Sequence, residues 1–348
     1  MTARAFITGV SGTELTGDER SFLRDADPWG LILFKRNIDT PSQVRALVDG
    51  FRNAVGRGDA PVLVDQEGGR VQRLGPPHWP NYPAGAQYGR IWERDQASAI
   101  EAARLGARLI AADLISLGID VDCLPVADVP APGADPVIGD RAYGDRPEKV
   151  AAIAEAVAEG LMAGGVLPVL KHLPGHGRAT TDSHHSLPTV AADPASLDAV
   201  DFAAFRPLAA LPMGMTAHVV FSAFDPIAPA TTSATMIQEV IRDSIGFAGL
   251  LMSDDISMGA LSGSLMERSR AALAAGCDVI LHCNGALDEM RAVADATPHL
   301  AGAAQRRAAA ALAARHAPDR DSDLGDLRRA FAALISGGRA AGAAMALS

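Results

Sequence analysis

The sequence predicts an α/β fold, a (β/α)8 barrel of TIM type, and three observations carry that prediction. Short apolar runs rich in Val, Ile and Leu recur eight times along the 348 residues. Alanine-rich segments of helical period lie between them, and polar residues collect directly after the runs end. Strands that are apolar on both faces and alternate with helices build a parallel sheet covered by helices, and eight such units is the number that closes a barrel. An open doubly wound sheet is the competing arrangement, but no Gly-x-Gly-x-x-Gly follows the first run to hold a dinucleotide.

Taken in order, the first run spans 5–10 and the second 30–34, with Lys35-Arg36-Asn37 behind it. The third, 61–64, leads into Asp65-Gln66-Glu67-Gly68-Gly69-Arg70, and the fourth, 119–123, into 125–128. The fifth, 166–170, opens the most polar loop of the chain, and the sixth, 213–217, is followed by His218. The seventh, 250–253, ends in Asp254-Asp255, and the eighth, 279–283, in Asn284. Helical spacing of apolar residues marks 42–54, 96–117, 147–163, 194–210, 235–245, 265–275 and 287–296. A barrel enzyme builds its site from the C-terminal ends of its strands, so these followers are expected to converge on one mouth. The segment 75–90, rich in Pro, Trp and Tyr, reads as an ordered loop across part of that mouth. Trp79, Tyr82 and Tyr88 are either stacking platforms for a sugar or rim packing, the latter favoured.

No linker divides the chain, so 1–348 reads as one catalytic domain, with the barrel at about 5–285 and a helical segment at 286–348. One or two helices are expected there on the outside of the barrel, with a charged break at 318–325 and fraying over 337–348. No apolar run reaches the roughly 18–20 residues of a membrane helix, and the start Met1-Thr2-Ala3-Arg4 lacks a secretory signal, so a cytoplasmic protein with no membrane partner is expected. Three cysteines, Cys123, Cys277 and Cys283, stand at no metal-binding spacing and read as reduced thiols. A net charge of -10 argues against a nucleic-acid partner. A monomer is expected.

The densest stretch of chemistry is Lys171-His172-Leu173-Pro174-Gly175-His176-Gly177-Arg178, followed by Asp182-Ser183-His184-His185. Asp182 and His184 stand two apart, which lets a carboxylate accept the ring N–H and hold the imidazole in one tautomer, as an acid/base histidine requires. His185 reads as a bystander. His172 and His176 flank a Pro-Gly turn and read as substrate ligands, core histidines or metal ligands. Pro174 and Gly175 rule out the helix that would align them as a zinc pair, so neither a metal nor another cofactor is expected. Asp254 and Asp255 end a strand, where a carboxylate can act as nucleophile, base or metal ligand, or cap the next helix. Alternation along a strand directs only one of them into the mouth, and the pattern does not choose between them.

These segments together resemble family 3 glycoside hydrolases, in their bacterial β-N-acetylglucosaminidase branch. The matching motifs are Lys171 to Gly177 with Asp182-Ser183-His184, Val64-Asp65-Gln66-Glu67-Gly68-Gly69-Arg70-Val71-Gln72-Arg73, Gly139-Asp140-Arg141-Ala142-Tyr143-Gly144, Pro229-Ala230 and Met252-Ser253-Asp254-Asp255. The resemblance implies retaining hydrolysis, with Asp254 as the nucleophile and His184, oriented by Asp182, as the acid and base. It assigns the sugar to Asp65, Arg73, Arg141, Lys171 and His172, with Asp128 and Asn284 as secondary candidates. Leu173 stands where the family motif has Phe, and the spacer of residues 178–181 is particular to this chain. The substrate so implied is a GlcNAc-containing glycoside or muropeptide of cell-wall recycling. A glycoside phosphorylase is the alternative within the chemistry, since a histidine acid does not repel incoming phosphate. A sugar-binding barrel without catalysis is the alternative outside it.

Overall fold

The computed structural model describes residues 2–318 and 323–338. Eight strands form a closed barrel: β1 (Arg4–Thr8), β2 (Pro28–Leu33), β3 (Val62–Val64), β4 (Val121–Asp122), β5 (Leu167–Leu173), β6 (Met213–Thr216), β7 (Leu250–Asp255) and β8 (Val279–His282). Each pairs in parallel with the next, and β8 returns to β1 with Thr8 opposite His282. Every apolar run became a strand of the barrel.

Period-two alternation sorts the side chains into two layers. Ile7, Ile32, Leu63, Val121, Val169, Met213, Met252 and Leu281, from all eight strands, pack together in one buried cluster. Their neighbours Phe6, Leu31, Val62, Leu170, Leu251 and Ile280 belong to another that includes residues of the surrounding helices. The first cluster is the filled interior of the barrel, the second the seam between barrel and helices.

The structure departs from the sequence reading in several places, each with a local cause. β5 runs on to Leu173 and β7 to Asp255, so Lys171, His172, Asp254 and Asp255 are strand residues rather than loop residues. Both strands slip register there, β5 against β6 between Leu170 and Leu173 and β7 against β8 between Met252 and Asp255. Such bulges re-aim side chains at a barrel rim. A helix at Gly17–Ala26 was not expected from its sparse apolar spacing; it is closed by a capping box in which Thr16 and Glu19 satisfy each other's backbone N–H. The segment 75–90 is not all loop, since a helix begins at Gly85 and runs to Trp92.

Among the described residues two helices follow Leu287–Ala296. Gly302–Ala313 is not on the outside of the barrel: Ala308 and Ala311 join the interior cluster, and Arg307 and Arg315 bind Asp278 (2.8 Å) and Asp120 (3.2 Å), just ahead of β8 and β4. Small alanine side chains let this helix close the bottom. The next, Leu324–Ile335, does pack outside, with Phe331 6.4 Å from the Tyr82 ring. Asp323 caps it, so Gly325 belongs to its first turn rather than to the charged break. The rest of that break at 319–322, and residues 339–348 of the stretch expected to fray, lie outside the described residues. Among the described residues no helix is long and apolar enough to cross a membrane.

Candidate active site

A cavity of about 510 Å³ opens at the C-terminal ends of the strands. It is lined by Asp65, Arg73, Arg141, Lys171, His172, Asp182, His184 and Asp254, the whole set singled out in the sequence, drawn from five separate segments. Asn284 lines it too, whereas Asp128 lies fully buried behind it.

The floor is a chain of alternating charges. Arg73 binds Asp65 at 2.8 Å, Lys171 reaches Asp65 at 2.9 Å and Glu67 at 2.6 Å, and Arg141 clasps Glu67 through two hydrogen bonds of 2.8 Å. Burial would raise the Asp65 carboxyl, but Lys171 and Arg73 outweigh it and hold it well below the usual carboxylate range. Burial likewise opposes ionisation of Glu67, and Lys171 and Arg141 bring it down to about 2. Three cations share two carboxylates, so N–H groups remain for a neutral, hydroxyl-rich ligand. Charge-assisted bonds of this kind are stronger than neutral ones. Glu67 was not singled out in the sequence. Its place two positions after Asp65, on the same side of an extended segment, was the available signal.

Asp254 and Asp255 both line the cavity, against the expectation that only one would, and the bulge in β7 is the reason. They are not equivalent. Asp255 accepts hydrogen bonds from the Ser257 N–H (3.1 Å), the Ser257 hydroxyl (2.7 Å) and the Cys283 N–H (3.2 Å), so both its oxygens are engaged by Ser257 and Cys283. Asp254 accepts only the Asp255 N–H, at 2.7 Å, among the hydrogen bonds of the described residues. Burial pushes its carboxyl up, yet His218, His172, that N–H and Lys171 together hold it below its ordinary value. It is an anion with a free oxygen.

On the exposed side, His184 Nδ1 lies 2.6 Å from Asp182 Oδ1, and the same oxygen accepts the His184 backbone N–H at 2.9 Å. Burial raises the Asp182 carboxyl, but these His184 contacts prevail and keep it ionised. An ionised carboxylate only accepts, so Nδ1 carries the proton in that bond and Nε2 is left for a reacting group. His185 is exposed and stands apart from the cavity.

The other histidines are engaged. His172 Nδ1 meets Asp128 Oδ2 at 2.6 Å, which leaves its other face to the cavity. His176 is not in the cavity: it is buried, its ring lowered to about 4 by burial and by His172, with Nε2 3.0 Å from the Ser183 hydroxyl. His218 Nε2 donates to the Asp255 carbonyl (3.0 Å) and Nδ1 accepts from Thr231 (2.7 Å). Trp79, Tyr82 and Tyr88 are buried in the outer core and are rim packing, not stacking platforms. Chemically, the site offers an anionic carboxylate on one wall, a tautomer-fixed imidazole on another and charged donors beneath.

The profile described as Glycosyl hydrolase family 3 N terminal domain matches residues 8–312. The chain belongs to glycosyl hydrolase family 3. It is thus a glycoside hydrolase, and the barrel is the fold of its family 3 relatives. A protein named Beta-hexosaminidase from Alkalilimnicola ehrlichii is 41% identical over 280 residues, covering 79% of this chain and 79% of that one. Another of that name, from Neisseria meningitidis serogroup C, is 39% identical over 289 residues, 81% of this chain and 79% of its own. The structure of NagZ from Neisseria gonorrhoeae in complex with N-trifluoroacetyl-D-glucosamine superposes with a TM-score of 0.84 at 31% identity, covering 97% of this chain and 98% of that one.

Proposed function

We propose that this family 3 enzyme is a retaining exo-β-N-acetylglucosaminidase that removes a terminal, non-reducing GlcNAc. Its expected substrates are GlcNAc-anhydro-muropeptides of cytoplasmic cell-wall recycling. The observation that carries the reading is the shared cavity: Asp254 and the Asp182–His184 pair line one space above a floor of charged hydrogen-bond donors. The β-hexosaminidase relatives and the GlcNAc analogue bound to gonococcal NagZ support the choice of sugar.

In this mechanism Asp254 attacks the anomeric carbon as His184 Nε2–H protonates the departing oxygen, giving a glycosyl-enzyme. His184, now neutral, takes a proton from water, which displaces Asp254 and returns the free sugar with its original configuration. Retaining glycosidases generally place two carboxyl groups about 5–5.5 Å apart. Here the imidazole–carboxylate pair serves for the second. Arg73, Arg141, Lys171, Asp65 and His172 hold the hydroxyls and the acetamido group, so binding energy is available to distort the ring.

The test is to trap the glycosyl-enzyme with a fluorinated GlcNAc analogue and locate the labelled peptide by mass spectrometry. A label on Asp254 supports the assignment; a label on Asp255, or none, removes it. Turnover of a GlcNAc glycoside in phosphate buffer should give GlcNAc, whereas GlcNAc-1-phosphate would make the chain a phosphorylase.

A further inference from the structure

The segment carrying Asp182 and His184 is anchored at both ends. At its start, Arg178 binds the buried Asp201 at 2.6 Å, and the Gly177 and Ala179 carbonyls accept N–H groups of Ala131 (2.9 Å) and Asp135 (2.8 Å). Gly177 is packed so closely that a Cβ would lie 2.0 Å from the Val129 carbonyl oxygen. At its end, Thr189–Val190 pairs with Val220–Phe221. Between these anchors residues 180–187 are exposed apart from Asp182, which is half-buried, and Ser183, which is 3% exposed.

Ser183 is the peg of this stretch. Its hydroxyl meets His176 Nε2 at 3.0 Å, and its carbonyl accepts the Ala260 N–H at 3.1 Å. The His184 carbonyl accepts the Gly259 N–H at the same distance. His176 Nδ1 is buried with no partner among the described residues, so the ring proton sits on Nε2 and is donated to Ser183; a proton on Nδ1 would be an unpaired buried donor. Gly259 and Ala260 follow Asp254 on the loop that continues β7. The dock therefore joins the segment with the imidazole to the strand with the carboxylate.

We propose that Gly259 and Ser183 are positioning residues that dock the Asp182–His184 segment on the loop after β7 and so set the imidazole over the cavity. The inference rests on the reading of His184 as the acid and base. A Cβ on Gly259 would come within 2.9 Å of the His184 carbonyl oxygen and 3.0 Å of that of His185, closer than real contacts allow. All three of its nearest neighbours belong to the docked segment, and its own φ lies outside the left-handed region. Alanine at 259 is therefore acceptable to its own backbone and obstructs only the docking.

The experiment measures kcat/KM for a series of GlcNAc glycosides graded in leaving-group pKa, with the wild type, Gly259→Ala, Ser183→Ala and His184→Ala. Misplacing a general acid costs most where protonation matters most. Both positioning variants should lose at most about threefold on nitrophenyl glycosides and about tenfold or more on alkyl glycosides, part of the roughly 100- to 10,000-fold a general acid supplies. His184→Ala should show the same trend more steeply. A uniform loss across the series, or none, in both positioning variants overturns the docking role while leaving the acid assignment intact, provided His184→Ala keeps its selective loss. A uniform loss in His184→Ala instead overturns the acid assignment and this inference with it. If Gly259→Ala melts below the assay temperature, Ser183→Ala, which removes one hydroxyl, decides the outcome alone.

Discussion

Lys171 and Asp65 stand 106 positions apart in the chain, and their side chains meet at 2.9 Å on the cavity floor. Lys171 also holds Glu67 at 2.6 Å, so one ammonium organises both acids of the floor. Lys171 and Glu67 are buried, which makes their balance of charge matter to folding.

Removing one member should therefore be costly. Glu67→Gln leaves Arg141 and Lys171 short of a counter-charge, and a broken buried pair costs about 3–5 kcal/mol. A lower melting temperature and a raised KM, with kcat less affected, are expected from thermal denaturation and steady-state kinetics. An unchanged melting temperature would show that water or a neighbour takes up the slack.

The same cluster sets the stability of the protein in acid. Asp65 and Glu67 have folded-state pKa values depressed below their unfolded ones, so their contribution is present above the unfolded values near 4 and fades as pH falls through the folded values. For Glu67 that lower limit is about 2. Circular dichroism across this window should show stability falling steadily below pH ~4, and Glu67→Gln should flatten the slope.

Asp254→Ala should abolish turnover, by on the order of 10⁴-fold as when one member of a catalytic unit is lost, while the fold is kept. Added azide should restore release of the aglycone and yield the glycosyl azide of inverted configuration. The same rescue in Asp255→Ala, but not in Asp254→Ala, would reassign the nucleophile.

Asp182→Asn exchanges the anionic acceptor that holds the His184 ring in one tautomer for a neutral amide. The value of kcat/KM should fall about tenfold or more on alkyl glycosides and much less on nitrophenyl glycosides, part of the roughly 100- to 10,000-fold a general acid supplies. An equal loss on both substrate classes would leave Asp182 a purely steric role.

Chelation should not affect activity. One ring nitrogen each of His172, His176, His218 and His282 meets Asp128, Ser183, Thr231 and Glu289 in turn. Dialysis against EDTA followed by assay checks this; a loss restored by a divalent metal would contradict it.

Much of the fold was legible because parallel barrel strands are apolar on both faces and stand out as bare runs of Val, Ile and Leu. Their ends were misjudged at β5 and β7, where bulges carry Lys171, His172, Asp254 and Asp255 past the apolar stretch. The helix at Gly17–Ala26 announces itself by its Thr16 and Glu19 cap rather than by apolar periodicity. The cavity residues were accessible for the same topological reason that barrel sites sit at strand ends. Glu67 escaped because its partners Arg141 and Lys171 are distant in sequence, and Gly259 because a backbone hydrogen bond to a loop leaves no trace in residue type.

Asp128 serves two masters. One of its oxygens holds the His172 ring at 2.6 Å, and the other accepts the His176 N–H at 2.6 Å, at the root of the segment that bears His184. A single side chain thus ties a cavity-lining imidazole to the backbone where the docked segment begins. A substitution at Asp128 would therefore be felt in two places together, in the tilt of the His172 ring and in the course of the chain toward Arg178.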